Sequence, residues 1–377
     1  MSAEAGKPSG RIAPMRVRTR LGKVRARLGS AGCDGLLVTS LVNLRYLTGF
    51  SGSAALLLVT KDGAVMTTDG RYGEQINEET EASGTAPLID KIVVGGLAAQ
   101  REALVGAAAP LARLGLEAAH VTWAEQRGWV EALDGVELVA TTGIVEGLRR
   151  VKDAGEIGRI GRAAAIADAA LARCVPSLRE APSEERFAAE LDHAMRLLGA
   201  AGSSFPTIVA SGPNAAKPHA QPSHRRIGTG ECIVVDFGAI YDGYCSDMTR
   251  TFCVGEPADP TVAKMIDVVT RSQRAGVKAV RAGASCASVD GACRAVIDAE
   301  GWKDAFSHGT GHGVGLEIHE DPAVAPRAPD SLEPGTIVTV EPGVYLPGIG
   351  GVRIEDTVVV TENGCRVLTS SPKDVFV

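Results

Sequence analysis

The chain has no apolar run approaching 18 residues, so a membrane-spanning helix is not expected. It also has no hydrophobic stretch of signal-peptide type near its start, so export by that route is not expected. Its eight cysteines (33, 174, 232, 245, 253, 286, 293 and 365) never fall as a CxxC pair, and 377 residues are too many to need covalent staples. They read as reduced thiols acting as small hydrophobes, which suits the cytoplasm. The net charge of −6 shows no basic excess, so neither nucleic acid nor an anionic membrane is an expected partner. Internal repeats and low-complexity tracts are missing as well.

What is present is an ordinary globular balance, 45% hydrophobic and 22% charged, in a chain long enough for two domains. The first 30 residues carry eight basic side chains against Glu4, a local +7 that leaves −13 for the rest. They read as a disordered tail over residues 1–14 followed by a solvated amphipathic helix, rather than a transit peptide. Strand-like runs at 35–40, 53–60, 64–68 and 91–96 alternate with helical stretches at 71–81 and 97–106. That alternation predicts an α/β domain over residues 1–147. The character then changes. Helical spacing over 148–173 and 184–198, strand signals from PTIVASG onward, and further helices at 260–281 and 287–300 predict an α+β domain over 148–377.

The stretch CIVVDFGAIYDGYCSDMTRTF (232–252) places two strand-like runs around Asp242-Gly243, a favoured two-residue hairpin turn. In that register Tyr241 opposes Tyr244, Asp236 opposes Thr249, and Asp247 lies diagonal to Asp236 on one face, roughly 7–8 Å away at Cα. Two facing carboxylates repel, so the arrangement calls for a cation between them; the plainer reading is a solvated pair at a sheet edge. Glu341, ending TIVTVEP, and Glu355, in GVRIEDTVVV, are again carboxylates in β-branched runs where Glu is disfavoured. HGTGHGVGLEIHE (308–320) packs His308, His312 and His319 among glycines. Four acids and an imidazole suit two divalent ions bridged by carboxylates, roughly 3.5–4 Å apart.

Asp236, Asp247, the HGTGHGVGLEIHE stretch, EPG at 341–343 and RIED at 353–356 occur in the order seen in the pita-bread metallopeptidases, and from about Leu148 onward the chain resembles that family. The resemblance implies that Asp236, Asp247, His312, Glu341 and Glu355 bind two metal ions, with Asp247 and Glu355 bridging. It further implies that Glu341 doubles as general acid/base, that His219 and His319 contact substrate, and that His308 lines the pocket. Arg353 and Tyr345 fit a supporting role that holds Asp236 by hydrogen bonds. With all five ligand positions filled, the metal-free creatinase is disfavoured. Methionine aminopeptidase is disfavoured too, because it lacks an α/β domain of this size in front. DGLLVTSLVNLRYLTGFSGSAALLL and LRRVKDAGEI are similar to the creatinase-like first domain and junction of the proline-specific members.

The expected function is therefore a cytoplasmic, homodimeric Xaa-Pro aminopeptidase that hydrolyses the N-terminal bond of peptides with proline second. Prolidase, an Xaa-Pro dipeptidase, is the alternative, and a non-catalytic binding protein of the same fold is more remote. Ligand hardness favours manganese, with cobalt or zinc as alternatives. His120, His193 and His224 have no companion acids at useful spacing and read as surface or packed residues. Trp123, Trp129 and Trp302 read as packing residues, and Arg250 as structural.

Overall fold

The computed structural model describes residues 12–373 and 376–377. Two compact units form, one spanning Met15–Arg149 and the other Arg150–Val377 together with residues 12–14. The tail expected over 1–14 falls mostly outside the described residues, which begin at Ile12. Ile12 lies over Gly158, where a Cβ would meet it at 2.8 Å, and the Ala13 carbonyl accepts from Arg159 Nη1 at 3.4 Å.

In the first unit β1 (Gly35–Val38), β2 (Ala55–Thr60), β3 (Ala64–Asp69), β4 (Asp90–Val94), β5 (Arg113–Glu117) and β6 (Glu137–Thr141) form one sheet. Its order is β4-β3-β2-β1-β5-β6, antiparallel through β1, β2 and β3 and parallel elsewhere. Helices α1 (Arg20–Leu28), α2 (Leu41–Thr48), α3 (Gly73–Ser83), α4 (Leu97–Ala108), α5 (Trp123–Ala132) and α6 (Glu146–Arg149) accompany it. Two of these elements have little periodic signal. Strand β5 reads RLGLE, with only Leu114 and Leu116 to mark it, and its register opposite Leu36 and Leu37 makes it a strand. Helix α2 exists because Ser40 Oγ caps the Asn43 amide and Gly49, at φ 83°, ends it.

The helix read continuously over 148–173 is broken: α6 ends at Arg149, and the second unit begins with a separate helix. Asp153 accepts from the amides of Gly155 and Glu156 while Glu156 accepts from Asp153, a capping box that restarts the chain as α7 (Ala154–Cys174). Then come α8 (Glu184–Leu197), α9 (Pro260–Ala279) and α10 (Cys286–Ala299). The strands are β7 (Gly202–Ser203), β8 (Ile208–Ser211), β9 (Cys232–Phe237), β10 (Ala239–Tyr241), β11 (Tyr244–Cys245), β12 (Met248–Cys253), β13 (Gly311–Gly313), β14 (Glu320–Val324), β15 (Ile337–Val340), β16 (Gly343–Leu346), β17 (Gly350–Arg353), β18 (Asp356–Thr361) and β19 (Gly364–Val367). They form antiparallel sheets ordered β11-β10-β7, β12-β9-β8, β14-β13-β15-β18-β19 and β16-β17.

Strand alternation sorts the core. Ile233, Val235 and Phe237 of β9 pack with Phe187 and Leu191 of α8, whereas Cys232 and Val234 pack with Met265 of α9 and Val289 of α10. Asp236 therefore shares the α9/α10 face of its strand. The turn at Asp242 (φ 47°) and Gly243 (φ 79°) sets the register, pairing Tyr241 with Tyr244 and Asp236 with Thr249. Between these pairs the hairpin changes sheet at Gly238, where a Cβ would stand 1.8 Å from the Ser246 carbonyl oxygen. Gly238→Ala is therefore expected to lower the unfolding midpoint of the catalytic unit in calorimetry, and an unchanged midpoint would show that the crossing tolerates a side chain.

Candidate metal centre

Asp236 is the penultimate residue of β9, and Asp247 directly precedes β12. Glu341 and Glu355 were expected inside strands; each instead occupies the link between strands of different sheets. Glu341 joins β15 to β16, and Glu355 joins β17 to β18. Backbone bonds hold both links, from Glu341 N to the Thr310 carbonyl (2.8 Å) and from Glu355 N to the Thr249 carbonyl (3.2 Å). Asp236, Asp247 and Glu355 thereby offer oxygens that all lie within 4.8 Å of one another. His312 Nε2 lies 3.5 Å from Asp247 Oδ2 and 3.4 Å from Glu341 Oε1. The five side chains singled out by the sequence thus converge on one centre.

Three observations fit divalent cations there. Asp236 Oδ1 and Glu355 Oε1 are buried with no hydrogen-bond partner, which leaves two orphaned acceptors among crowded acids. His312 Nδ1 contacts the Gly313 carbonyl at 3.0 Å, so that nitrogen carries the proton and Nε2 presents its lone pair to the acids. Burial lowers the His312 pKa to about 4, so the ring is neutral and able to ligate at pH 7. The acids shift the other way. Burial, with mutual repulsion adding, raises Asp247 and Glu355 well above the usual carboxylate range and pushes Glu341 up to about 8.

Among the described residues, one Lys or Arg side chain forms an ion pair with these carboxylates. Arg353 Nη2 donates to Asp236 Oδ2 at 2.6 Å, while Nη1 donates to Tyr345 Oη at 2.7 Å and the Pro218 carbonyl at 3.2 Å. Its Nε donates to Thr249 Oγ1 at 3.1 Å. Tyr345, expected to hold Asp236 directly, instead orients the guanidinium that does so. Tyr345 Oη also lies 2.9 Å from His308 Nε2, and His308 Nδ1 lies 2.7 Å from the Gly309 carbonyl. A consistent proton assignment has Arg353 donating to Tyr345, Tyr345 to His308, and His308 to Gly309. Both nitrogens of His308 are then used within the protein, so it meets the cavity with its ring only.

Two threonines that the sequence reading passed over complete the shell. Thr249 Oγ1 donates to Glu355 Oε2 at 2.7 Å, and Thr339 Oγ1 donates to Glu341 Oε1 at 3.2 Å. Thr339 Oγ1 also accepts from the His312 amide at 3.0 Å. Each threonine stands two residues from an acid of the cluster, and that spacing was available as a signal. Asp290 of α10 accepts from Thr310 N (3.1 Å) and Oγ1 (2.9 Å), anchoring the histidine stretch, and a buried Lys152–Glu320 pair (3.0 Å) anchors its end.

The centre floors a cavity of about 360 Å³ walled by Phe205, Pro206, Ile208 and Ile318. His219 and His319 line it, and the His319 ring stacks edge-on at 4.3 Å from that of His312. The remaining candidates lie elsewhere. His120 and His224, read as lacking acid partners, pair with Glu146 (3.0 Å) and Glu185 (2.5 Å) through contacts distant in sequence. Trp129 is buried as expected, but Trp123 is 77% exposed and packs little. Arg250 is buried, donating to the Ser371 carbonyl and Asp356, a structural role.

The raised acids give a stability signature. A carboxyl whose folded pKa exceeds its unfolded value holds more protons when folded, so metal-free stability falls as pH rises through that window. For Glu341 the window runs from 4.5 to about 8. His308 and His312, lowered from 6.5 to about 4, act oppositely, but their gain is complete by 6.5. The unfolding midpoint of the metal-free protein is therefore expected to fall between pH 6.5 and 8 and to recover on adding divalent metal. A midpoint that is flat in pH and indifferent to metal would contradict this electrostatic picture.

Comparison with known proteins agrees with this geometry. Residues 158–362 match metallopeptidase family M24, and residues 20–151 match the creatinase/prolidase N-terminal domain. The chain is 41% identical to an uncharacterized peptidase of Bacillus subtilis, over 95% of this chain and 99% of that one. Among solved structures it is similar to an Xaa-Pro dipeptidase from Bacillus anthracis (TM-score 0.91, 40% identity, 96% and 100% coverage). It is also similar to an X-Pro aminopeptidase from Thermotoga maritima (TM-score 0.84, 34% identity, 92% and 97% coverage). With its catalytic-domain and N-terminal-domain matches in sequence order, and relatives of this identity over nearly its whole length, the protein belongs to metallopeptidase family M24.

Proposed function

We propose that the protein is a dinuclear Xaa-Pro aminopeptidase, with Asp236, Asp247, His312, Glu341 and Glu355 holding the metals. The observation that carries the metallopeptidase reading is the convergence of these five side chains, two with orphaned oxygens, at the floor of a cavity. Four carboxylates and one imidazole favour manganese over softer ions. Bound there, the ions would supply Lewis acidity and lower the pKa of a bound water.

The chain's own groups do the rest. Glu341 is only partly buried and lines the cavity, placed to take a proton from the attacking water and return it to the leaving nitrogen. His219 and His319 are exposed on the cavity wall, and among the described residues neither has a protein hydrogen-bond partner. They are free to donate to the substrate carbonyl and to the charge that develops on it. Arg353 holds the Asp236 carboxylate in place. Phe205, Ile208 and Ile318 offer the apolar wall that a proline ring needs.

The preference for peptides longer than two residues is supported by the cavity's charge. Among the described residues that line the cavity, Arg353 is the one Lys or Arg, and Asp236, Tyr345, Thr249 and Pro218 engage its donors. A dipeptide brings a free carboxylate next to the proline, and that carboxylate finds no available Lys or Arg in the lining. A peptide bond in the same place needs none. The second reading, prolidase, is favoured by the name of the Bacillus anthracis neighbour, an Xaa-Pro dipeptidase.

The metal-loaded enzyme is expected to show higher kcat/KM for the tripeptide Ala-Pro-Ala than for the dipeptide Ala-Pro; the reverse order would make it a dipeptidase. His312→Ala is expected to lose metal and turnover together, and normal turnover with normal metal content would refute its ligand role. His319→Ala should cut kcat by about 10²-fold with both metals retained. Loss of metal in that variant would mean that His319 is a ligand.

A further inference from the structure

We infer that Glu184, outside the lining of the cavity, is the positioning residue that sets the place of His219. Glu184 begins α8 and is fully buried, 0% exposed. A carboxylate so enclosed requires compensation, and here its side-chain hydrogen bonds come from residues 211–223, with the charge of Arg225 adding to them. Oε1 accepts from Ser211 N (2.7 Å), Ser211 Oγ (2.8 Å) and Asn214 Nδ2 (3.2 Å). Oε2 accepts from Asn214 Nδ2 (3.1 Å), Ser223 N (3.1 Å) and Ser223 Oγ (2.6 Å). The α8 N-terminus, where negative charge is favoured, adds to these neutral donors.

The two serines flank the segment 212–222, and one carboxylate closes it at both ends. Between them the chain lies against β17, so closely that a Cβ on Gly351 would stand 1.9 Å from the Ala215 carbonyl oxygen. The Pro218 carbonyl accepts from Arg353, the guanidinium that also holds Asp236. His219 follows Pro218 directly, and both line the cavity. The exposed imidazole thus stands on a loop clamped at its ends by Glu184 and tied at its middle to the partner of a candidate ligand. Without the clamp the loop regains backbone freedom, and the imidazole leaves its productive position. Sequence alone shows Glu184 as one more acid in the first turn of a helix, which is ordinarily solvated.

This inference rests on the proposed role of His219, and the test separates the two. Glu184→Gln keeps the shape but turns one acceptor into a donor that faces donors; Ser223→Ala is milder, removing one hydroxyl and keeping the amide. With manganese-loaded enzyme and Ala-Pro-Ala, Glu184→Gln is expected to lower kcat/KM by about 10²-fold, Ser223→Ala by less, with metal content unchanged. In a His219→Ala background neither change should slow the enzyme further. Losses that multiply, wild-type kcat/KM in both variants, or loss of metal in the Ser223→Ala variant would overturn the positioning role. A His219→Ala enzyme of full activity would instead remove the reading of His219 itself, and the inference with it. If the Gln variant fails to fold, Ser223→Ala carries the same test.

Discussion

Three carboxylates with oxygens within 4.8 Å of one another, and a fourth beside their histidine neighbour, form an arrangement that a folded protein does not hold without a reason. Like charges at that separation, shielded from water, raise one another's affinity for protons. One guanidinium, in contact with Asp236, answers part of the charge. The rest is a concentrated demand for cations, and the surrounding structure is arranged to sustain it. Thr249 and Thr339 hold Glu355 and Glu341 from behind, while two oxygens are left without a protein partner.

The fold meets that demand through its seams. Asp236 comes from the end of a strand, Asp247 from the residue before one, and both glutamates from links where the chain passes between sheets. Of the four, Asp236 alone is paired within a strand ladder. The helices anchor the flexible parts: α10 through Asp290 for the histidine stretch, α8 through Glu184 for the His219 loop. Helices and strands thus place groups carried on glycine- and proline-rich loops.

Much of this was legible in the sequence, because two of its signals are local. Asp242-Gly243 sets the hairpin register, and period-two alternation then puts Asp236 opposite Thr249. The order of the acidic and histidine motifs carried the family. What was not legible depends on residues distant in the chain. Nothing near Glu341 or Glu355 announces that the strand ends there, since the change of sheet is a tertiary event. Nothing near His308 reveals that Tyr345, far along the chain, takes its Nε2. Strand β5 was missed because RLGLE has too few apolar residues to stand out from a loop. Helix α2 was missed because a short helix is set by its cap and by its left-handed glycine more than by periodicity. Glu184 escaped notice because its burial is made by a loop that begins well after α8 ends.

The central claim is that these five side chains enclose two divalent ions. Crystals grown with manganese and measured for anomalous scattering would test it most directly. The account predicts two peaks, both bounded by Asp236, Asp247, His312, Glu341 and Glu355. No peak at that centre, or full occupancy somewhere else, would contradict it.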